Sequence, residues 1–331
     1  MQLSILSLNC ENMADMAPKV PGAKVREQLR KRSELLAAMI EHINPDVIGM
    51  VEAATTVEQT QRWVDDYLGG AYEVHQGEKR GVLGLALALR RGLGIAAAVA
   101  PKEECNKLYK LGEFDADNDG IRELYSWANR VPHEVTLSGG GLAAPVTVIV
   151  IHAKSKGVFI PGDFHKYEQL ARAARMKLRA QGATVRARLD KLVDDHGKGR
   201  AIVMGDMNDS SDLDVYAAPL GGAFLMPVIG NVFDPARIFT NAHYDAIPEK
   251  ERWTIDYGDR IVNPITESRY GMPTSLQSWI DHILVSPELR ESIVPGTAVI
   301  NHEQPTPKGW AKPPGDARGT DHHPPSVSVE L

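Results

Sequence analysis

Short apolar runs, rich in Val, Ile and Leu and broken by polar or turn-forming residues, recur along nearly the whole chain. They cover Leu3–Leu8, Val47–Val51, Leu83–Leu89, Ile95–Val99, Val146–Ile151, Ala201–Met204, Ile280–Val285 and Ser326–Val329. Runs of this length with these bounds read as strands. Helical periodicity is clear in two segments. One spans about 24–42, with Leu29, Leu36 and Ile40 on one face, and stops before Asn44-Pro45. The other spans about 163–195, where Leu170, Ala174, Leu178, Val185, Leu189 and Leu192 step by three or four. Its opposite face carries many Arg and Lys residues, which read as a solvated face before a nucleic-acid surface. The first helix links two strands as a crossover would. Many strands and few helices predict two packed sheets flanked by helices, in one domain over 1–331.

Composition narrows the function. The chain is 43% hydrophobic and 24% charged, enough to bury a sizeable core. Its 43 acidic and 37 basic residues give a net charge of -6, which argues against a protein that coats nucleic acid by charge alone. Cys10 and Cys105 do not form a disulfide framework. No apolar run reaches the roughly 18 residues of a membrane span. The N-terminus reads as a strand rather than a secretory leader, so a cytoplasmic protein is expected. No protein partner is indicated.

The chemistry sits where the strands end. Asn9 follows the first run, Glu52 the second, His152 and Lys154 the fifth, and Gly205-Asp206-Met207-Asn208 the sixth. Asp281 follows Ile280, and Thr320-Asp321-His322-His323-Pro324 precedes the last strand. One polar strand end is unremarkable; a set of these residue types is hard to read as solvated loops. Carboxylate and amide oxygens suit Mg²⁺ or Mn²⁺, and no Cys/His cluster has zinc spacing. A metal on a phosphate oxygen neutralises developing charge, a carboxylate can deprotonate water, and an imidazolium can stabilise the transition state.

The segments LSLNCEN, DVIGMVEA, VIVIHAKSK, VMGDMNDS, SWIDHILVS and TDHHPPSVSV, in that order and within residues 3–330, resemble the endonuclease/exonuclease/phosphatase superfamily, the deoxyribonuclease I-like proteins. The resemblance implies a four-layer αββα sandwich and a metal-dependent phosphoric ester hydrolase. It implies Glu52, Asn9 and Asp321 as the metal surroundings. It makes Asp206 the residue that activates water, with Asn208 holding water or phosphate. His322 would meet the scissile phosphate, oriented by Asp281. His152 would protonate or stabilise the leaving oxygen, with Glu78 orienting it and Arg130 on phosphate.

The substrate is less legible. Met204 and His282 stand where the inositol-polyphosphate 5-phosphatases carry Trp and Arg, and no aromatic hairpin suits a sphingomyelinase. His152-Ala-Lys154-Ser is similar to nuclease-like bacterial members. A nuclease or related phosphodiesterase acting on nucleic acid or another phosphodiester is therefore expected. A phosphomonoesterase, a phospholipid-type phosphodiesterase and an inactive binding module are the alternatives. Two features stand apart. Asp115, Asp117 and Asp119, followed by Gly120, resemble the start of an EF-hand Ca²⁺ loop, although Ser126 replaces its last ligand. The stretch 12–21 is expected to be a long loop, and so is the Pro/Gly-rich stretch 302–320. In the latter, Trp310, between Lys308 and Lys312, either packs on the sandwich or stacks a base.

Overall fold

The computed structural model describes residues 1–331 apart from 21, 23, 78–82, 128–129, 159–163, 196–198, 212, 257–276, 307–308 and 312–317, with backbone alone for 164, 195, 306, 310 and 311. Glu78, Lys308 and Lys312 lie outside the described residues, as does the side chain of Trp310.

Twelve strands build two six-stranded sheets. They are β1 (Gln2–Asn9), β2 (Val47–Ala53), β3 (Tyr72–Gln76), β4 (Gly84–Arg90), β5 (Ile95–Val99) and β6 (His133–Gly139). The rest are β7 (Val146–His152), β8 (Ala201–Asp206), β9 (Thr240–Asn241), β10 (Asp281–Val285), β11 (Val299–Ile300) and β12 (Pro325–Glu330). The first sheet runs β11-β12-β1-β2-β4-β3 and the second β9-β10-β8-β7-β6-β5. In each, one central pair is parallel, β1 with β2 and β7 with β8, and the other pairings are antiparallel. Helix α1 (Glu27–Ile43) bridges the first parallel pair and α3 (Phe164–Asp195) the second; α2 (Val57–Leu68) follows β2.

Alternation along the strands sorts side chains into three cores. Leu3, Ile5, Val148, Val150, Ile202 and Met204 meet between the sheets. Leu6, Leu8, Ile48 and Met50 face Leu36, Ile40, Trp63 and Val64 of α1 and α2. Ile149, Ile151 and Val203 face Leu178, Val185 and Leu189 of α3. The expected αββα layering is therefore present. Helix α1 stops where the sequence said, with Asn44 left-handed at φ 52° and Pro45 unable to continue the helix.

The sequence reading needs three corrections here. Residues 12–21 are not a plain loop: Met13–Met16 form one helical turn whose two methionines are fully buried. The 302–320 stretch is not simply a loop either, since Gln304–Thr306 pairs with Gly309–Ala311, opposing Pro305 to Trp310. Asp281 begins its strand rather than ending one; antiparallel pairing of β10 with β8 sets it beside Asp206. The cysteines are buried and free. Among the described residues, no helix is long and apolar enough to cross a membrane.

Candidate active site

The parallel pairs and their antiparallel neighbours bring the strand-end residues to one end of the sandwich. There they join the two sheets in three pairs. Asn9 of β1 donates its amide to Asp206 Oδ2 of β8 at 3.2 Å. His152 Nε2 of β7 lies 3.8 Å from Glu52 Oε1 of β2. His322 Nδ1, just before β12, is 2.7 Å from Asp281 Oδ2 of β10. The pairs also touch one another: Asn9 Nδ2 is 3.3 Å from His322 Nε2, and His152 Nε2 is 3.8 Å from Asp206 Oδ2.

Local backbone strain aims these groups. Glu52 has φ 56° and coincides with a register shift between Val51 and Ala53, so a bulge turns its carboxylate out of the sheet. Its Oε2 accepts from Asn12 N at 2.9 Å. Glu11, Asn12 and Asn208 also have left-handed φ, at 46°, 60° and 51°. Such conformations cost of order 1–3 kcal/mol each and cluster where function needs them. Gly205 has φ 135°, and a Cβ there would fall 2.0 Å from Ile151 O. Only glycine passes this point, which is why Gly precedes Asp206. Asn208 then donates its backbone N–H to Asp206 Oδ1 at 2.9 Å and its side-chain amide to Ala153 O at 3.2 Å.

Burial and neighbouring charge divide the titrating groups. Burial, with Asp281 nearby, pushes the Asp206 carboxyl up to about 7. Burial alone would lower His322, but the Asp281 carboxylate overrides it, with Asp321 and Asp206 adding, and carries the imidazole up to about 10. His322 is thus an imidazolium at neutral pH. His152 goes the other way: burial, then the charges of Arg130 and His322, hold it well below the usual histidine range. Its ring is neutral, and Nε2 accepts from Arg130 Nη1 at 3.0 Å.

Two further groups at this end escaped the sequence reading. Glu11 Oε2 accepts from Asp321 N at 3.0 Å, and burial, then the Asp321 charge, raises its pKa. It sits inside the LSLNCEN segment, where nothing distinguished it from a polar turn. Lys177 belongs to the basic face of α3, one turn before Gln181, whose Oε1 accepts from Lys154 N at 3.0 Å. Burial and then Arg130 lower the pKa of both Lys154 and Lys177, so the three cations share one region beside His152. Among the described residues, none of the three is ion-paired with a carboxylate. Lys156, by contrast, is neutralised by Asp209 at 2.5 Å and Asp214 at 3.2 Å.

Two acidic groups are close enough to hold a cation. One is Asp206, Asp281 and His322, whose ligand atoms lie within 4.8 Å of one another. His322 is bonded to Asp281 through Nδ1, so the set also forms an ordered Asp–His pair beside the Asp206 carboxylate. Further carboxylates adjoin this set: Glu52 Oε1 lies 3.8 Å from the His152 Nε2 that also meets Asp206, Asp321 Oδ1 lies 3.8 Å from His322 Nε2, and Glu11 Oε2 accepts from Asp321 N. A dication among them would relieve their mutual repulsion. The other group is Asp115, Asp117 and Asp119. It lies in a hairpin between strands Glu113–Phe114 and Glu123–Leu124, not between helices. Arg172 takes one Asp117 oxygen at 2.6 Å.

The family model for the endonuclease/exonuclease/phosphatase family matches residues 6–322. The chain belongs to that family. It is accordingly a hydrolase of phosphoric esters, in a family whose members typically depend on a divalent metal. No curated protein matches the chain. Among solved structures, TDP2 from C. elegans is similar at 14% identity and TM-score 0.59, covering 100% of this chain and 76% of that one. An AP endonuclease from Archaeoglobus fulgidus is similar at 18% identity and TM-score 0.52, covering 99% and 100%. A TDP2 from D. rerio complexed with single strand DNA product shares 13% identity at TM-score 0.54, covering 100% and 99%. At these identities the likeness establishes the fold of the family, two sheets flanked by helices, and no more.

Proposed function

We propose that this chain, as one catalytic domain, is a Mg²⁺- or Mn²⁺-dependent phosphodiesterase whose natural substrate is nucleic acid. The observation that carries the reading is that Asn9 touches both Asp206 and His322, while His322 is held by Asp281 at 2.7 Å. A carboxylate suited to act as base, a cation fixed by Asp281, and a cluster of metal-type oxygens meet at one end of the sandwich. Glu52 is the main ligand, with Asn9, Asp321 and Glu11 completing the surroundings. A bound dication would supply charge neutralisation at the phosphate and lower the pKa of water.

The chain's own residues divide the remaining work. Asp206 holds the attacking water and takes its proton, while Asn208 fixes the Asp206 carboxylate through its backbone N–H. His322 faces the non-bridging oxygens with its positive charge, and Asp281 keeps the ring oriented. His152 stays neutral, so of its two possible roles it stabilises rather than protonates, by anchoring Arg130 near the leaving oxygen.

Among the described residues Arg130, Lys154 and Lys177 have no carboxylate partner, and three half-buried cations in one region favour a diester with neighbouring phosphates over a small monoester. The single strand DNA product in the D. rerio relative agrees with that preference. The acidic hairpin of Asp115, Asp117 and Asp119 is a second candidate, for Ca²⁺, with Arg172 on one oxygen of Asp117. The test compares release of nitrophenol from a bis-ester and a mono-ester, and cleavage of an oligonucleotide, with Mg²⁺ and with EDTA. The reading expects metal-dependent bis-ester and oligonucleotide cleavage. Full activity after rigorous chelation defeats it, and a preference for the mono-ester replaces it with a phosphatase.

A further inference from the structure

Of the residues proposed to surround the cation, Glu52 belongs to β2, and Asn9, Glu11 and Asp321 come from both ends of the chain, in two loops that share no sheet hydrogen bonds at that point. Residues 9–12 leave β1, and residues 319–322 lead into β12. Helix α1 lies beside both. From it Arg32 donates Nε to Gly319 O at 3.0 Å and Nη2 to Cys10 O at 2.7 Å. Nη2 also donates to Glu11 O, and it lies 3.6 Å from Glu11 Oε2. One guanidinium thus holds two carbonyls of the first loop, one of the second, and a carboxylate.

We infer that Arg32 is a positioning residue that sets the register between these two loops and so presents Glu11, Glu52 and Asp321 to a divalent cation. The inference rests on the metal reading above. Three observations support it. First, Glu11 and Asn12 are consecutive left-handed residues, and Asn12 N is what holds Glu52 Oε2. Such a turn needs an outside anchor, and the carbonyls of Cys10 and Glu11 are anchored by Arg32. Second, Glu11 Oε2 accepts from Asp321 N, so the carboxylate next to the guanidinium also ties the loops together. Thr320 Oγ1, donating to Asn9 O at 2.7 Å, is a second tie between them. Third, Gly319 rests on the backbone of α1: a Cβ there would sit 2.7 Å from Leu36 N. The second loop is therefore seated on the helix by shape as well as by the hydrogen bond to Arg32.

A lysine cannot replace this group. Its ammonium is a compact point charge, whereas the guanidinium offers five donors in a rigid fork that can serve several carbonyls at once. An arginine that only fastened α1 to the sandwich would affect stability and leave metal affinity alone. The two roles separate by measurement.

The experiment measures Mn²⁺ binding by electron paramagnetic resonance, alongside thermal unfolding without metal. It compares the full-length protein with Arg32→Lys, Arg32→Ala and Gly319→Ala. Groups that orient ligands from outside typically change metal affinity or activity by roughly 10–100-fold when removed. Arg32→Lys should lose Mn²⁺ affinity in that range while remaining folded at the assay temperature. Gly319→Ala should show the same pattern, because it lifts one loop off α1 with Arg32 intact. Added guanidinium should restore Mn²⁺ affinity to Arg32→Ala and not to Gly319→Ala. A wild-type protein that binds Mn²⁺, with variants that bind it equally well, overturns the inference and leaves the metal reading standing. So does a loss that only tracks the unfolded fraction. A wild-type protein that binds no Mn²⁺ overturns both.

Discussion

The two sheets repeat one plan and supply different chemistry. Each has a parallel central pair bridged by a helix, and each ends that pair at the site. The first sheet contributes Asn9 and Glu52, an amide and a carboxylate with oxygens to offer a cation. The second contributes His152 and Asp206, a neutral imidazole and a carboxyl pushed up to about 7. The helices differ as well. Arg32 of α1 turns inward to hold loop carbonyls, while α3 sets Lys177 beside Arg130 and Lys154. A shared scaffold therefore does not dictate a shared role. On the proposed reading, the residue at the end of each strand, and what lies against it from the facing sheet, decide which half would bind the metal and which would react.

The largest test of that division is on the reacting side. Asp206→Asn and His322→Ala should each lower kcat by roughly 10²–10⁴-fold, the usual loss for a positioned acid or base, with the protein still folded by circular dichroism. Asp281→Ala should resemble His322→Ala, and the double variant should be little worse than either, since the pair acts as a unit. Near-normal turnover in Asp206→Asn would transfer the base to the other half.

The binding side is tested by Glu52→Gln. It should raise the Mg²⁺ concentration for half-maximal activity by roughly 10–100-fold, with a smaller change in maximal rate at saturating metal. A loss that saturating metal does not relieve would place Glu52 among the reacting groups and blur the comparison.

Protonation offers a test through stability. His243 is buried, its Nε2 donates to Ser326 O at 2.9 Å, and burial pushes its pKa down to about 4. Its contribution is present above the unfolded value near 6.5 and is lost as pH falls through about 4, a change of roughly 3 kcal/mol. His322, raised to about 10, has the opposite sign: its contribution is complete below about 6.5 and is lost as pH rises through 10. Thermal midpoints of metal-free protein should therefore fall toward both extremes. His243→Gln should flatten the acid side and Asp281→Asn the alkaline side. If Asp281→Asn leaves the alkaline side unchanged, the imidazolium is held by something other than Asp281.

The smallest effect concerns the helix faces. Lys177→Ala should weaken oligonucleotide binding and reduce its salt slope by about 1, as for one lost phosphate contact. Hydrolysis of a small nitrophenyl diester should hardly change. Equal losses on both substrates would make Lys177 part of the reacting site, and no loss on either would return the α3 face to solvent.

What the sequence determined by itself was the inventory and its order. Strand-length apolar runs, two helical periods and polar residues at the strand ends were enough to predict two sheets flanked by helices. They also marked Asn9, Glu52, His152, Asp206, Asn208, Asp281, Asp321 and His322 as one set. These signals are local: alternation, period and turn chemistry act within a few residues. Only the tertiary structure decided the pairs, because Asn9 with Asp206 and His322 with Asp281 depend on one sheet packing on another, across 197 and 41 residues of chain. The same packing gave two buried histidines opposite protonation states, since a neighbour's charge fixes the sign and the sequence does not say which neighbour arrives. Arg32, Glu11 and Lys177 were invisible for that reason. On paper each is an ordinary charged residue of a helix face or a turn, and each acquires a role only from what the fold sets against it.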